Sequence, residues 1–130
     1  MKLLAFGVIG CFAAPAMASN WVKAGGGSDG TQLAIDMASV SRNGESAKVW
    51  IELDYSKVAA ERARRSKELW KFHCSDETSF TAAQILCRAD GSVLNSNNPI
   101  ETSYGYHAVA PDTLGAFVMG TVCRKTNAQN

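Results

Sequence analysis

The sequence is poor in metal-binding side chains and has no surplus of charge. Two histidines and four scattered cysteines in 130 residues match no zinc-ligand spacing, so neither a metal nor any other cofactor is expected. Lys and Arg number 13 against 12 Asp and Glu, which removes the general electrostatic reason to expect nucleic acid or an anionic membrane as partner. Long apolar runs are also missing: no segment after residue 18 approaches the roughly 20 residues that a membrane-spanning helix needs. The Gly25-Gly26-Gly27 loop lacks the Lys-Ser/Thr partner and following helix of a phosphate cradle. What remains is a globular composition, 46% hydrophobic and 19% charged, which excludes a disordered or collagen-like chain. The length suits one domain.

The first eighteen residues read as an export signal. Met1-Lys2 is a short positive start, residues 3–14 are almost entirely apolar, and Pro15 precedes Ala16-Met17-Ala18. Small residues at the two inspected positions predict cleavage after Ala18. Val8-Ile9-Gly10-Cys11 loosely imitates a lipoprotein box, but Cys11 comes too early to leave a full apolar core before it. The expected product is residues 19–130, with net charge zero and three cysteines, Cys74, Cys87 and Cys123. Export to an oxidising compartment, periplasm or cell surface, predicts a disulfide. An odd count leaves one thiol over.

Along this product, residues 21–23 and 32–36 read as strands, with Ser39-Val40-Ser41 extending or restarting the second. Asn43-Gly44 marks a hairpin. Residues 47–55 alternate, Ala47, Val49, Ile51 and Leu53 opposite Lys48, Trp50, Glu52 and Asp54, as a half-buried strand does. Residues 57–67 form either a short helix or a solvated excursion. Trp70, Phe72 and Cys74 share the next strand face; residues 80–88 are another strand, entered by a turn at Asp76-Glu77-Thr78. Ala89-Asp90-Gly91 turns into Val93-Leu94, residues 96–99 are loop, and residues 104–109 make a last edge strand. Asp112 or Thr113 caps a final helix, in which Leu114, Phe117, Val118, Thr121 and Val122 recur at helical spacing. The fold class is therefore α+β: an antiparallel sheet of about five to six strands with one C-terminal helix packed on it, and one disulfide.

The hairpin geometry bears on the cysteines. A turn near Asp76-Glu77 places Cys87 opposite about residue 66, roughly 26 Å along the strand from Cys74, whereas a disulfide needs Cα atoms within about 7 Å. The bridge then joins Cys123 to Cys74 or to Cys87. Cys74 is preferred, because it shares the core face of Trp70 and Phe72 and closes the longer loop. Cys87 is left as the expected free thiol, buried, reactive or intermolecular.

Arg62-Ala63-Arg64-Arg65-Ser66-Lys67 concentrates four cations in six residues. Arg62, Arg64, Arg65 and Lys67 are either a solvated face beside Glu61 and Glu68 or a basic patch for sulfated glycan, anionic headgroup or acidic protein. His73-Cys74 is no nucleophile–base pair, since adjacent strand residues point to opposite faces; no catalytic residue is assigned. Trp50 belongs to a second core face under the helix or is an exposed interface anchor, and the core reading is favoured.

Trp21, Ile35-Asp36, the run from Ser39 to Gly44, Val49-Trp50, Phe72-His73-Cys74, Ala89-Asp90-Gly91-Ser92-Val93, and Val109-Ala110-Pro111-Asp112-Thr113 before Cys123 carry a resemblance in their order and spacing. Together they resemble the surface-adhesin protein E family of small exported bacterial proteins. The resemblance implies a non-enzymatic surface or periplasmic protein, with an antiparallel sheet, a C-terminal helix and host-protein partners. Cys87 departs from the Tyr expected there, and no host-binding segment of the family matches, so no binding residue is carried over. The expected function is an adhesin-like protein-binding module, a monomer or weak homodimer, contacting host or envelope proteins or sulfated glycan through the basic patch. The alternative is a periplasmic structural or stress-related protein without a host ligand.

Overall fold

The computed structural model describes residues 19–58 and 63–127; the predicted signal segment with its cleavage residue Ala18, and Arg62, lie outside them. Among the described residues eight strands form one antiparallel sheet: β1 (Trp21–Gly26), β2 (Gln32–Asp36), β3 (Ser41–Asn43), β4 (Ser46–Asp54), β5 (Arg65–His73), β6 (Thr78–Cys87), β7 (Val93–Asn97) and β8 (His107–Ala108). A helix, α1 (Leu114–Asn127), follows. The sheet path is β1-β2-β4-β5-β6-β7, while β3 lies beside β4 and β8 beside β6.

Eight strands replace the expected five to six because two edges are interrupted. β2 ends its pairing at Ile35 opposite Ile51, and β3 resumes on β4 at Ser41 opposite Lys48. Between them Met37–Ser39 make a 3-10 turn, capped by Asp36, whose carboxylate accepts from Ala38 N at 3.1 Å and Asn20 N at 2.7 Å. Ser39 Oγ accepts from Trp50 N at 2.9 Å, filling the gap in the ladder. A side-chain oxygen thus does what a strand carbonyl would have done. The expected strand at 104–109 shrinks to β8, preceded by the 3-10 turn Ser103–Gly105. Residues 96–97, expected as loop, belong to β7. The run 57–67 is divided: Arg65 onward is strand, not helix.

The alternation of β4 decides the layers. Ala47, Val49, Ile51 and Leu53 join Leu33, Ile35 and Phe72 in a buried face, which Val118 and Val122 of α1 cover. Full burial of such side chains contributes about 1.5–3 kcal/mol each. Thr113 caps the helix, accepting from Ala116 N at 3.1 Å through its hydroxyl, while Asp112 takes a left-handed φ of 63°. Phe117, expected on the buried stripe, is 48% exposed.

Cys74 and Cys123 are bonded, with Cα atoms 5.7 Å apart, so the terminal helix is pinned to the end of β5. Arg42 adds a second clamp, donating from Nη1 to the Cys123 carbonyl at 2.7 Å. Cys87 stands opposite Arg65 in the β5–β6 register and is fully buried. It is not the leftover thiol expected from an odd count taken after removing the leader, because no cysteine among the described residues is free.

Candidate binding surface

The face of the sheet turned away from α1 is built by the other half of the alternation. Lys48, Trp50, Glu52 and Asp54 of β4 stand opposite Lys71, Leu69, Lys67 and Arg65 of β5. Ala34 flanks Glu52, Lys23 flanks Ala34, and Trp21 flanks Asp36 on the far side. Ala83 and Ile85 of β6 continue the rows of Leu69 and Lys67. Trp21, Trp50 and Leu69 are half-buried. Lys67 reaches across the face to place Nζ 5.6 Å from the centre of the Trp21 ring, a cation–π distance. The expectation of Trp50 under the helix is corrected by this register: it sits on the opposite face from Val49 and Ile51, which carry the helix.

One end of this face is latched by the segment before β8. The Tyr106 ring stacks on His73 at 4.1 Å and on Phe80 at 5.4 Å, and its hydroxyl donates to Glu101 at 2.7 Å. Glu101 also accepts from Lys71 Nζ at 2.6 Å. That lysine bond and the Tyr106 hydroxyl hold the Glu101 carboxyl below its usual pKa. Burial, reinforced by the adjoining carboxylate, pushes the Tyr106 phenol up. Gly105 is required here, since a Cβ would stand 2.7 Å from the Phe80 ring. His73 is thus one layer of an aromatic stack, and Cys74 beside it is consumed by the disulfide.

A polar node missed in the sequence lies on the helix-side face, in the next rows after Phe72 and Trp70. Glu68 stands opposite Ile51 and Ser66 opposite Leu53; Glu68 is 5% exposed and Ser66 is fully buried. The carboxylate accepts from the Ser66 hydroxyl, from Trp70 Nε1 at 2.7 Å and from Gln84 Nε2 at 2.9 Å. No buried side-chain N or O atom among the described residues lacks a partner. Carrying the period of two backward from Phe72 through Trp70 would have found both Glu68 and Ser66.

Arg62 of the basic run lies outside the described residues, and the other members have different neighbours. Arg64 is half-buried, Arg65 Nη1 lies 3.8 Å from Glu52, and Lys67 sits over Trp21. The strand register instead brings Arg88, just beyond β6, level with Arg64 and Arg65. The three line a cavity of about 250 Å³ with Asp54, Ser56, Ala89 and Gly91. Partial burial pushes the Asp54 carboxyl upward, but hydrogen bonds from Ser56 and the charges of Arg65 and Lys23 outweigh it and leave its pKa lowered.

Among the described residues no group of three His, Cys, Asp or Glu side chains could hold a metal ion. No helix there is long and apolar enough to cross a membrane. The arrangement defines a single-sheet α+β module that buries one sheet face under a helix and presents an aromatic and cationic second face. The profile of the family described as Surface-adhesin protein E matches residues 21–124, and the chain belongs to that family. Comparison with curated proteins and with solved structures found no match. Membership implies an exported or surface protein of adhesin-like type.

Proposed function

We propose that this protein is an exported, non-enzymatic adhesin-like module that contacts host or surface proteins through the sheet face opposite its helix, after cleavage behind Ala18. The observation that carries this reading is the placement of Trp21, Trp50 and Leu69 on that face, half-buried among Lys23, Lys48 and Lys67. Tryptophan loses little rotamer freedom on binding and supplies large apolar area, which makes it a frequent interface anchor. Long lysines around it favour partners with acidic rims. The non-enzymatic reading is supported by the occupation of the reactive side chains in structural contacts: His73 is stacked and Cys74 is bonded.

Two measurements test the proposal. Protease treatment of intact cells should remove the protein from the cell surface, whereas protection until the outer layer is opened would favour a periplasmic structural role. Microspheres coated with the purified chain should adhere to cultured eukaryotic cells more than albumin-coated ones. Equal adherence would refute the adhesive function.

A further inference from the structure

Three arginines from two separate stretches of the chain meet at one end of the sheet. Arg64 immediately precedes β5, Arg65 opens it, and Arg88 immediately follows β6. Pairing of Arg65 with Cys87 brings the two strand ends level, and all three residues line the 250 Å³ cavity. Among the described lining residues the one carboxylate is Asp54, and it already accepts from Ser56 N at 2.8 Å.

The guanidinium groups keep donors in reserve. Among the described residues the Arg64 side chain has no hydrogen-bond or ion-pair partner. Arg65 meets Glu52 only at 3.8 Å, beyond hydrogen-bond range. Arg88 uses Nη1 alone, donating to Ser92 Oγ at 3.3 Å and Val93 O at 3.1 Å, which holds it in the hairpin. A guanidinium carries five N–H donors in a planar fork that fits tetrahedral oxyanions. Three such forks around one small cavity exceed what a solvated charged surface requires.

We propose that this cleft binds the sulfate esters of a glycan chain. The shared chemistry is that of any tetrahedral oxyanion, and two features select the glycan over a phospholipid headgroup. The arginines line a recess rather than a flat surface. From Arg65 the open face carries further cations at Lys67 and Lys23, with Glu52 and Asp54 of β4 between them, so a repeating polyanion finds further partners beyond the cleft. The proposal names a ligand class for the adhesive module and rests on that reading.

The test is binding of the purified chain to immobilised heparin at an ionic strength of about 0.15 M. R64Q removes no hydrogen bond or ion pair among the described residues and should fold normally; R64Q/R88Q removes two cations. R124Q removes one charge, as R64Q does, from an exposed site on the helix, away from both the cleft and the open face. Heparin affinity should fall several-fold in R64Q and at least about tenfold in the double variant, equivalent to about 1.4 kcal/mol, with less than about twofold change in R124Q. Desulfated heparin and phosphatidylglycerol vesicles should not bind. Equal losses in R64Q and R124Q, or no loss in R64Q/R88Q, would overturn the proposal. Vesicle binding without heparin binding would overturn the glycan assignment. Adherence of Trp50→Ala microspheres is read separately, so loss of the glycan proposal leaves the adhesive face to stand or fall alone.

Discussion

Replacing Cys74 and Cys123 together by serine removes the one covalent tie between sheet and helix among the described residues. The bond closes a separation of 49 residues, and releasing such a loop enlarges the unfolded ensemble by about 4 kcal/mol in the chain-entropy account. The native packing is affected less, because Val118 and Val122 still seat on Val49, Ile51 and Phe72, and Arg42 still reaches the carbonyl at position 123. Total stability for a domain of this size is about 5–15 kcal/mol, so the variant should fold but melt early. At roughly 4 °C per kcal/mol, the midpoint should drop by about 15 °C. Circular dichroism of the oxidised chain, the reduced chain and C74S/C123S measures it, and reduction should reproduce most of the drop. A fall below about 4 °C, or about 1 kcal/mol, would refute the claim that this bridge is a principal staple.

Three further outcomes follow from the polar and aromatic contacts. Glu68→Ala strands the Ser66, Trp70 and Gln84 donors and should cost about 3 kcal/mol by denaturant unfolding, whereas Glu68→Gln, which keeps an acceptor oxygen, should cost less; equal losses would contradict the node. Gly105→Ala drives a methyl into Phe80 and should cost about 1–3 kcal/mol, read from the shift in urea midpoint. Glu101 has its pKa depressed in the fold, so its contribution is present above the unfolded value of 4.5 and is lost as pH falls through the lower folded value. Lys71→Met should therefore flatten the acid limb of the stability–pH curve, and an unchanged limb would remove Lys71 as the cause.

Period-two alternation made the layers legible: β4 and the Trp70-Phe72-Cys74 row follow the expected faces, and Asn43-Gly44 turns as its left-handed φ at Gly44 allows. Cys87 stands opposite Arg65, within a residue or two of the expected partner and far along the strand from Cys74, the offset including a bulge between Leu69 and Trp70. The strand interruptions were hidden because Ser39 and Asp36 close their gaps with side-chain hydrogen bonds, which leave no periodic trace. Trp50 reads as core in the sequence because an aromatic on the minority face of an amphipathic strand looks like core until the helix is placed. The arginine cleft was only half legible: Arg64 and Arg65 stood together, but Arg88 joins them through a pairing register that no local pattern encodes.

The central claim is that the open sheet face carries adhesion. Coated microspheres bearing Trp50→Ala and Phe117→Ser compare it directly with the opposite side of the molecule, since Trp50 lies on the open face and Phe117 is an exposed apolar residue of the helix. Adherence to cultured cells should fall at least about tenfold for Trp50→Ala, as for a hot-spot tryptophan, and remain near wild type for Phe117→Ser. Loss with Phe117→Ser and retention with Trp50→Ala would contradict the account.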